Sequence, residues 1–252
     1  MKILKAIYSI YACITFVAIM FLIFPFAVLA TLLGRIKGGN IVYGLCGIWA
    51  DLWFLFIFVW QKRIYEVPHN GKQAYIFVSN HISYIDAAML PKAIRQPTRP
   101  LGKAEMSKVP IFGLIYRNAI VTVDRSNPTN RANSVRILKS VLSKGISIMV
   151  FPEGTFNMGT TPLKDFYDGA FRIAIETQTP IKPVLFLDAY RRMPYESLLL
   201  MTPGISRILY LEEIPVNGYT LNDIAKLKAE VYKVMEQKLI AYDYAWRKSS
   251  DS

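Results

Sequence analysis

AYIFVSNHISYIDAAMLPKAIR, residues 74–95, contains the pattern from which the rest of the chain can be ordered. Ala74–Ser79 is a short apolar run with the length and aromatic content of a buried strand. Ile85–Arg95 reads as a helix. Between them lies a polar cluster, Asn80–Asp86, that includes one of the chain's two histidines. Strand, polar turn and helix make one βα unit. In open α/β sheets, ligands gather beyond the carboxyl ends of the strands.

The alternation continues down the chain. Ala119–Asp124, Ile146–Phe151, Ile181–Leu187 and Arg207–Leu211 read as strands, with a further short strand near Pro100–Gly102. Ser107–Arg117, Arg131–Lys144, Gly169–Thr177 and Thr220–Tyr242 read as helices, the last with Ile224, Leu227, Val231 and Val234 on one face. The expected fold is α/β, a mostly parallel sheet covered by helices on both faces. Arg247–Ser252 reads as a polar tail.

Hydrophobic residues make up 53% of the chain, and most of the excess precedes residue 61. Ile7–Leu33 is an uncharged apolar run longer than the roughly 20 residues that cross a bilayer as a helix. Pro25 is expected to kink it. It exceeds the h-region of a signal peptide, about 7–15 residues, and no clear cleavage site follows, so it reads as a retained segment. After the polar link Gly34–Asn40, Ile41–Trp60 is apolar again except for Asp51. The expected organisation is a helical hairpin over residues 1–62 and a catalytic domain over 63–252. A charge near the middle of a span costs about 2.5–3.5 kcal/mol on insertion scales. Asp51 therefore favours a hairpin embedded in one leaflet over two crossings. Lys2, Lys5, Lys62 and Arg63 flank the ends, against Arg35 and Lys37 in the link. That distribution places the domain on the cytoplasmic face of the cell (inner) membrane.

Residues 1–60 hold only four cations against Asp51, so most of the net charge of +12 belongs to the domain. A basic domain suits anionic lipid, phosphorylated substrates or nucleic acid. No zinc-finger, helix-turn-helix or RNP-type pattern supports nucleic acid. Cys13 and Cys46 sit in apolar runs and read as small buried hydrophobes, not a disulfide framework or a metal site.

Among the polar residues, His81 is suited to accept a proton near neutral pH. Asp86 can orient it if the turn folds His81 back over the start of the helix. The alternative is a packed turn histidine with Asp86 charging the helix terminus. His69 reads as a solvated turn residue. A second cluster, Phe151-Pro152-Glu153-Gly154-Thr155, ends another buried strand, where glycine permits a turn and close approach of a substrate. A lone His and Asp make a poor zinc site, so no metal is expected.

Together these segments resemble the glycerolipid acyltransferase family, typified by the 1-acylglycerol-3-phosphate acyltransferases. The resemblance runs from about Ala74 to Phe186. It rests on Asn80-His81-x-Ser83-x-x-Asp86, Gly102-Lys103-Ala104-Glu105, Val109-Pro110-Ile111-Phe112-Gly113, Val123-Asp124-Arg125, Phe151–Thr155 and Lys182-Pro183-Val184. It implies acyl transfer from acyl-CoA or an acyl carrier protein to a lysolipid hydroxyl, with no acyl-enzyme and no bound cofactor. His81 would be the base and Asp86 its orienter. Lys103 and Arg125 would hold the acceptor phosphate, Glu153 would position the acceptor, and Gly154 and Thr155 would complete its binding loop. Backbone amides near Gly154 would stabilise the oxyanion.

The sequence departs from the family where Phe156-Asn157 follow the FPEGT block in place of Arg-Ser. Phe166-Tyr167-Asp168-Gly169-Ala170 stands where Lys-Lys-Gly-Ala is common. Ala119 and Thr122 differ from the usual Asp-Arg block. Two cations are lost beside the centre. The expected acceptor is 1-acylglycerol-3-phosphate, giving phosphatidic acid for phospholipid biosynthesis. A lyso-aminolipid or another lysophospholipid is the alternative acceptor, and a non-catalytic membrane-binding protein is the alternative of another class.

Overall fold

The computed structural model describes residues 2–123 and 128–243. Two long helices come first, α1 (Lys2–Thr31) and α2 (Gly39–Phe56), joined through a π-helical turn at Gly34–Gly38. There follow β1 (Val59–Tyr65), β2 (Ile76–Val78), α3 (Asp86–Ala93), β3 (Thr98–Lys103), a 3-10 turn at Ala104–Lys108, α4 (Phe112–Ala119) and β4 (Val121–Val123). The remainder is α5 (Pro128–Leu142), β5 (Ser147–Val150), α6 (Gly169–Thr177), β6 (Ile181–Phe186), α7 (Ala189–Arg192), β7 (Gly204–Tyr210) and α8 (Ile224–Ala241).

The seven strands form one sheet in the order β1-β7-β6-β2-β5-β3-β4. From β6 to β4 every pairing is parallel. β7 runs antiparallel to β6, and β1 pairs parallel with β7. Every residue of β2, β5 and β6 is buried. Such strands need cover on both faces, which explains their continuous apolar runs. One layer is α2, α3 and α4; the other is α5, α6 and α8.

Three local expectations are corrected. The second apolar segment does not continue as helix to Trp60: α2 ends at Phe56, and Val59 opens β1, which straddles the expected boundary at residues 62 and 63. The pull toward strand comes from β7, which pairs with all seven residues of β1. Cys13 is exposed on α1. His69 is half-buried, with Nε2 2.9 Å from Gln96 Oε1 and its ring near Tyr75, Phe77 and Tyr210.

The hairpin is docked along its whole length. Trp53 Nε1 donates to Ala12 O at 2.8 Å and Trp49 Nε1 to Phe16 O at 3.2 Å, with the Phe16 ring edge-on to both indoles. Both indole N–H groups are thereby satisfied inside an apolar contact. At the root, Tyr8 donates its hydroxyl hydrogen to Ile57 O, and Met201 N–H donates to Ser9 Oγ. Midway, Asp51 accepts from Lys92 Nζ at 2.6 Å and from Arg95 Nη2 at 2.6 and 2.7 Å. At the tip, the buried Arg99 of β3 donates to Asn40 Oδ1 at 2.8 Å and to Ile36 O at 3.2 Å. Ala27, Ala30, Val42 and Ala119 pack beside it, small residues that let α1, α2 and α4 approach closely.

Candidate active site

β2 ends at Val78, and its polar continuation turns into α3 at the carboxyl rim of the sheet. Asn80 fixes the start of that turn. Its Nδ2 donates to Phe186 O at 3.0 Å and its Oδ1 accepts from Phe186 N–H at 2.9 Å, clamping the turn to the end of β6. Ser83 fixes the middle: its hydroxyl donates to Met193 O at 2.5 Å and accepts from Ile85 N–H at 3.2 Å.

Asp86, the first residue of α3, is fully buried, and its carboxylate folds back over the turn. One oxygen, Oδ2, lies 2.9 Å from His81 Nδ1, Ile82 N and Ser83 N. Five residues would separate the pair on a continuous helix. The turn supplies the geometry instead, because two backbone amides and the imidazole converge on one oxygen. A carboxylate at Nδ1 holds the proton there and leaves Nε2 as the basic nitrogen. Among the described residues Nε2 has no hydrogen-bond partner, and the side chain is 21% exposed. The ring stacks on Phe151 at 4.0 Å and meets the edge of Phe156 at 4.5 Å. Its plane is fixed on both sides.

The Phe151–Thr155 segment lies directly against this turn. Glu153, 1% exposed, accepts from His81 N–H through Oε1 and from Lys164 N–H through Oε2, both at 2.8 Å. Asn157 N–H donates to His81 O at 2.8 Å, so both main-chain polar groups of His81 are tied to this loop. Burial pushes the Glu153 carboxyl up to about 7; the amides of Lys164 and His81 oppose the rise and the neighbouring Asp86 charge adds to it. Glu153 was expected to position the acceptor. Its buried, doubly bonded carboxyl group supports the backbone that carries His81.

Gly154 takes φ 72°, and its N–H donates to Phe151 O at 3.0 Å, closing the turn. That amide is therefore not directed at a reacting oxygen. The next two, of Thr155 and Phe156, have no acceptor among the described residues. Thr155 is exposed, and its Oγ1 lies 2.7 Å from Lys164 Nζ. Lys103 ends β3 on the same rim, exposed, and no hydrogen bond joins it to the His81 turn among the described residues. Arg125 lies outside the described residues.

Sequence reasoning thus brought His81, Asp86, Glu153, Gly154 and Thr155 to one place, and missed Lys164 and the fixing roles of Asn80, Ser83 and Asn157. Asn80 and Ser83 stood within the quoted motif. No local pattern marked Lys164, which reaches Thr155 only through the fold of the loop.

The chain is 28% identical over 186 residues to the 1-acyl-sn-glycerol-3-phosphate acyltransferase of Haemophilus influenzae, covering 72% of this chain and 76% of that protein. The enzyme of the same description from Escherichia coli is 29% identical over 170 residues, 67% of this chain and 68% of its own. An uncharacterized acyltransferase of Schizosaccharomyces pombe is 26% identical over 257 residues, 96% of this chain and 87% of its own. The crystal structure of the 1-acyl-sn-glycerophosphate (LPA) acyltransferase of Thermotoga maritima superposes with a TM-score of 0.73 over 98% of both chains at 21% identity, a likeness of fold. Residues 60–187, half of the chain, match the family model described as Acyltransferase, and the chain belongs to that family of enzymes.

Proposed function

We propose that the chain is a membrane-embedded O-acyltransferase that moves a fatty acyl group from an acyl thioester, acyl-CoA or acyl carrier protein, to the free hydroxyl of 1-acylglycerol-3-phosphate. The observation that carries this reading is the His81–Asp86 pair, with Nδ1 engaged and Nε2 open at the carboxyl rim. His81 Nε2 takes the proton of the acceptor hydroxyl as its oxygen bonds to the thioester carbonyl carbon. The carbonyl π electrons move onto oxygen, where the Thr155 and Phe156 amides are the nearest candidate donors. Collapse breaks the C–S bond, and the departing thiolate takes the proton back from His81. Asp86 stabilises the imidazolium between the two transfers.

Lys164 beside Thr155, Lys103 on the rim and Arg125 after β4 are the cations proposed to meet the acceptor phosphate. Lys164 offsets part of the positive charge missing from the segments after Thr155. The relatives named as 1-acyl-sn-glycerol-3-phosphate acyltransferases support this acceptor.

The docking of the hairpin supports a place in one leaflet. Arg99 holds the tip and Met201 binds Ser9 at the root, which favours a tip on the same side of the bilayer as the domain. Along α1, Ile3, Ile7, Ile14, Phe21 and Leu29 are more than half exposed, an outward apolar stripe suited to acyl chains. The flanking Lys2, Lys5, Lys62 and Arg63 favour the cytoplasmic leaflet of the inner membrane.

The test is an acceptor panel. Purified protein in vesicles is given labelled acyl thioester with 1-acylglycerol-3-phosphate, a lyso-aminolipid and other lysophospholipids. Labelled phosphatidic acid is the expected product. Acylation of another lysolipid with 1-acylglycerol-3-phosphate ignored would overturn the acceptor assignment and leave the chemistry standing.

A further inference from the structure

Where β1 and β7 begin, the catalytic domain carries apolar side chains that no other described residue covers. Phe58 is 57% exposed, Trp60 54% and Ile205 57%; Leu198 and Leu199 are each nearly half exposed. They form one neighbourhood. Gly204 N–H donates to Phe58 O at 2.9 Å, and Trp60 stands opposite Ile205 in the register of β1 and β7. The 3-10 turn Leu198–Leu200 packs on α1.

These side chains are held outward by ordered backbone. Ser197 caps the leucine turn, its Oγ accepting from Leu199 N–H at 3.1 Å. Phe58 takes φ 53°, a conformation uphill for a bulky residue, and the bond from Gly204 holds it there. An exposed apolar patch fixed in this way marks an interaction surface.

The patch adjoins the root of the hairpin: Tyr11 donates its hydroxyl hydrogen to Phe56 O, and Met201 binds Ser9. A cation borders it along the strand: exposed Lys62 follows Trp60 on the same face of β1, about 7 Å further on. An aromatic ring with a cation one strand repeat above matches the step from acyl region to phosphate layer.

We infer that Phe58, Trp60, Leu198, Leu199 and Ile205 form a second bilayer contact, by which the catalytic domain itself sits in the leaflet that holds the hairpin. The inference rests on the reading that the hairpin is membrane-embedded. It goes beyond that reading by bringing the β1–β7 edge of the sheet into the bilayer surface. The domain then cannot swing away on the hairpin, and the orientation of the carboxyl rim toward the lipid is fixed at two points.

The test uses the full chain with Cys13→Ser and Cys46→Ala, carrying one environment-sensitive fluorophore at Leu199→Cys, Ile205→Cys, Ile14→Cys on the hairpin, or Lys233→Cys on α8. The protein is bound to vesicles whose acyl chains carry bromine. Quenching at 199 and 205 comparable to that at 14, with none at 233, is the expected result. Quenching at 14 with none at 199 and 205 overturns the second contact and leaves the embedded hairpin intact. No quenching at 14 overturns the embedded hairpin, and the second contact falls with it.

Discussion

Glu153 holds His81 by the main chain: its Oε1 accepts from the His81 N–H at 2.8 Å while its other oxygen holds the amide of Lys164. Glutamine at 153 keeps one acceptor and turns an NH2 toward an amide that needs one. Losing a buried hydrogen bond of this kind costs about 1–3 kcal/mol. Glu153→Gln should therefore lower kcat about 10–100-fold, with KM for the acceptor changed by less than about threefold. A grip on the acceptor itself would show as a large rise in KM. Steady-state kinetics with varied acceptor distinguish the two.

The same residue predicts a pH dependence of stability. Glu153 titrates near 7 in the folded protein, against an ordinary value of 4.5. Between those values the folded state keeps a proton that the unfolded chain has lost. Its contribution to stability is complete below about 4.5 and is lost as pH rises through 7, on the order of 3 kcal/mol in all. Chemical denaturation at pH 5 and pH 8 should show this loss in the native protein and little of it in Glu153→Gln.

His81→Ala and Asp86→Asn should separate chemistry from architecture. Removing the imidazole should cost about 10^2–10^4 in kcat with little change in melting temperature, since the ring donates to nothing but Asp86. Asp86→Asn should cost activity on a similar scale and stability besides, because Asp86 also receives the amides of Ile82 and Ser83. Kinetics and thermal denaturation on both variants check it.

Lys164→Ala should weaken acceptors that bear a phosphate, raising their KM about tenfold, as expected from losing a charge-assisted bond worth about 1.5 kcal/mol. A lysolipid without a charged phosphate should respond little. Equal effects on both would remove Lys164 from acceptor recognition.

At the hairpin tip, a methyl group on Gly39 would come within 2.6 Å of Arg99 Nη2 and 2.8 Å of Asn118 O. Gly39→Ala should displace the Arg99 guanidinium from Asn40 and loosen the tip. Limited proteolysis of the membrane-bound protein should then cut within residues 34–38 faster than in the unaltered chain.

The sheet was legible because its central strands are buried on both faces and so appear as unbroken apolar runs, as in Ile181–Phe186. β1 was hidden because Val59 and Trp60 extend an apolar helix without a break in composition, and the partner that makes them a strand lies far along the chain. His81 and Asp86 were legible as residue types at a turn. The three-way bond to one Asp86 oxygen was not, since it depends on backbone dihedrals. The burial of Glu153 was equally hidden: a glutamate after a strand looks solvent-ready until the loop to Lys164 closes over it.

The pairing of β1 with β7 has a consequence during synthesis. Val59 meets Gly204, 145 positions later in the chain. At roughly 5–20 residues per second, a ribosome needs on the order of ten seconds to deliver the second strand after the first. Throughout that interval α1 and α2 are complete and apolar, and β1 has no strand to pair with. The edge strand therefore waits for a partner that follows every other strand of the sheet in the chain. A chain stalled before residue 204 would be unfinished, with the edge-strand amides of residues 59–65 open to any neighbouring polypeptide.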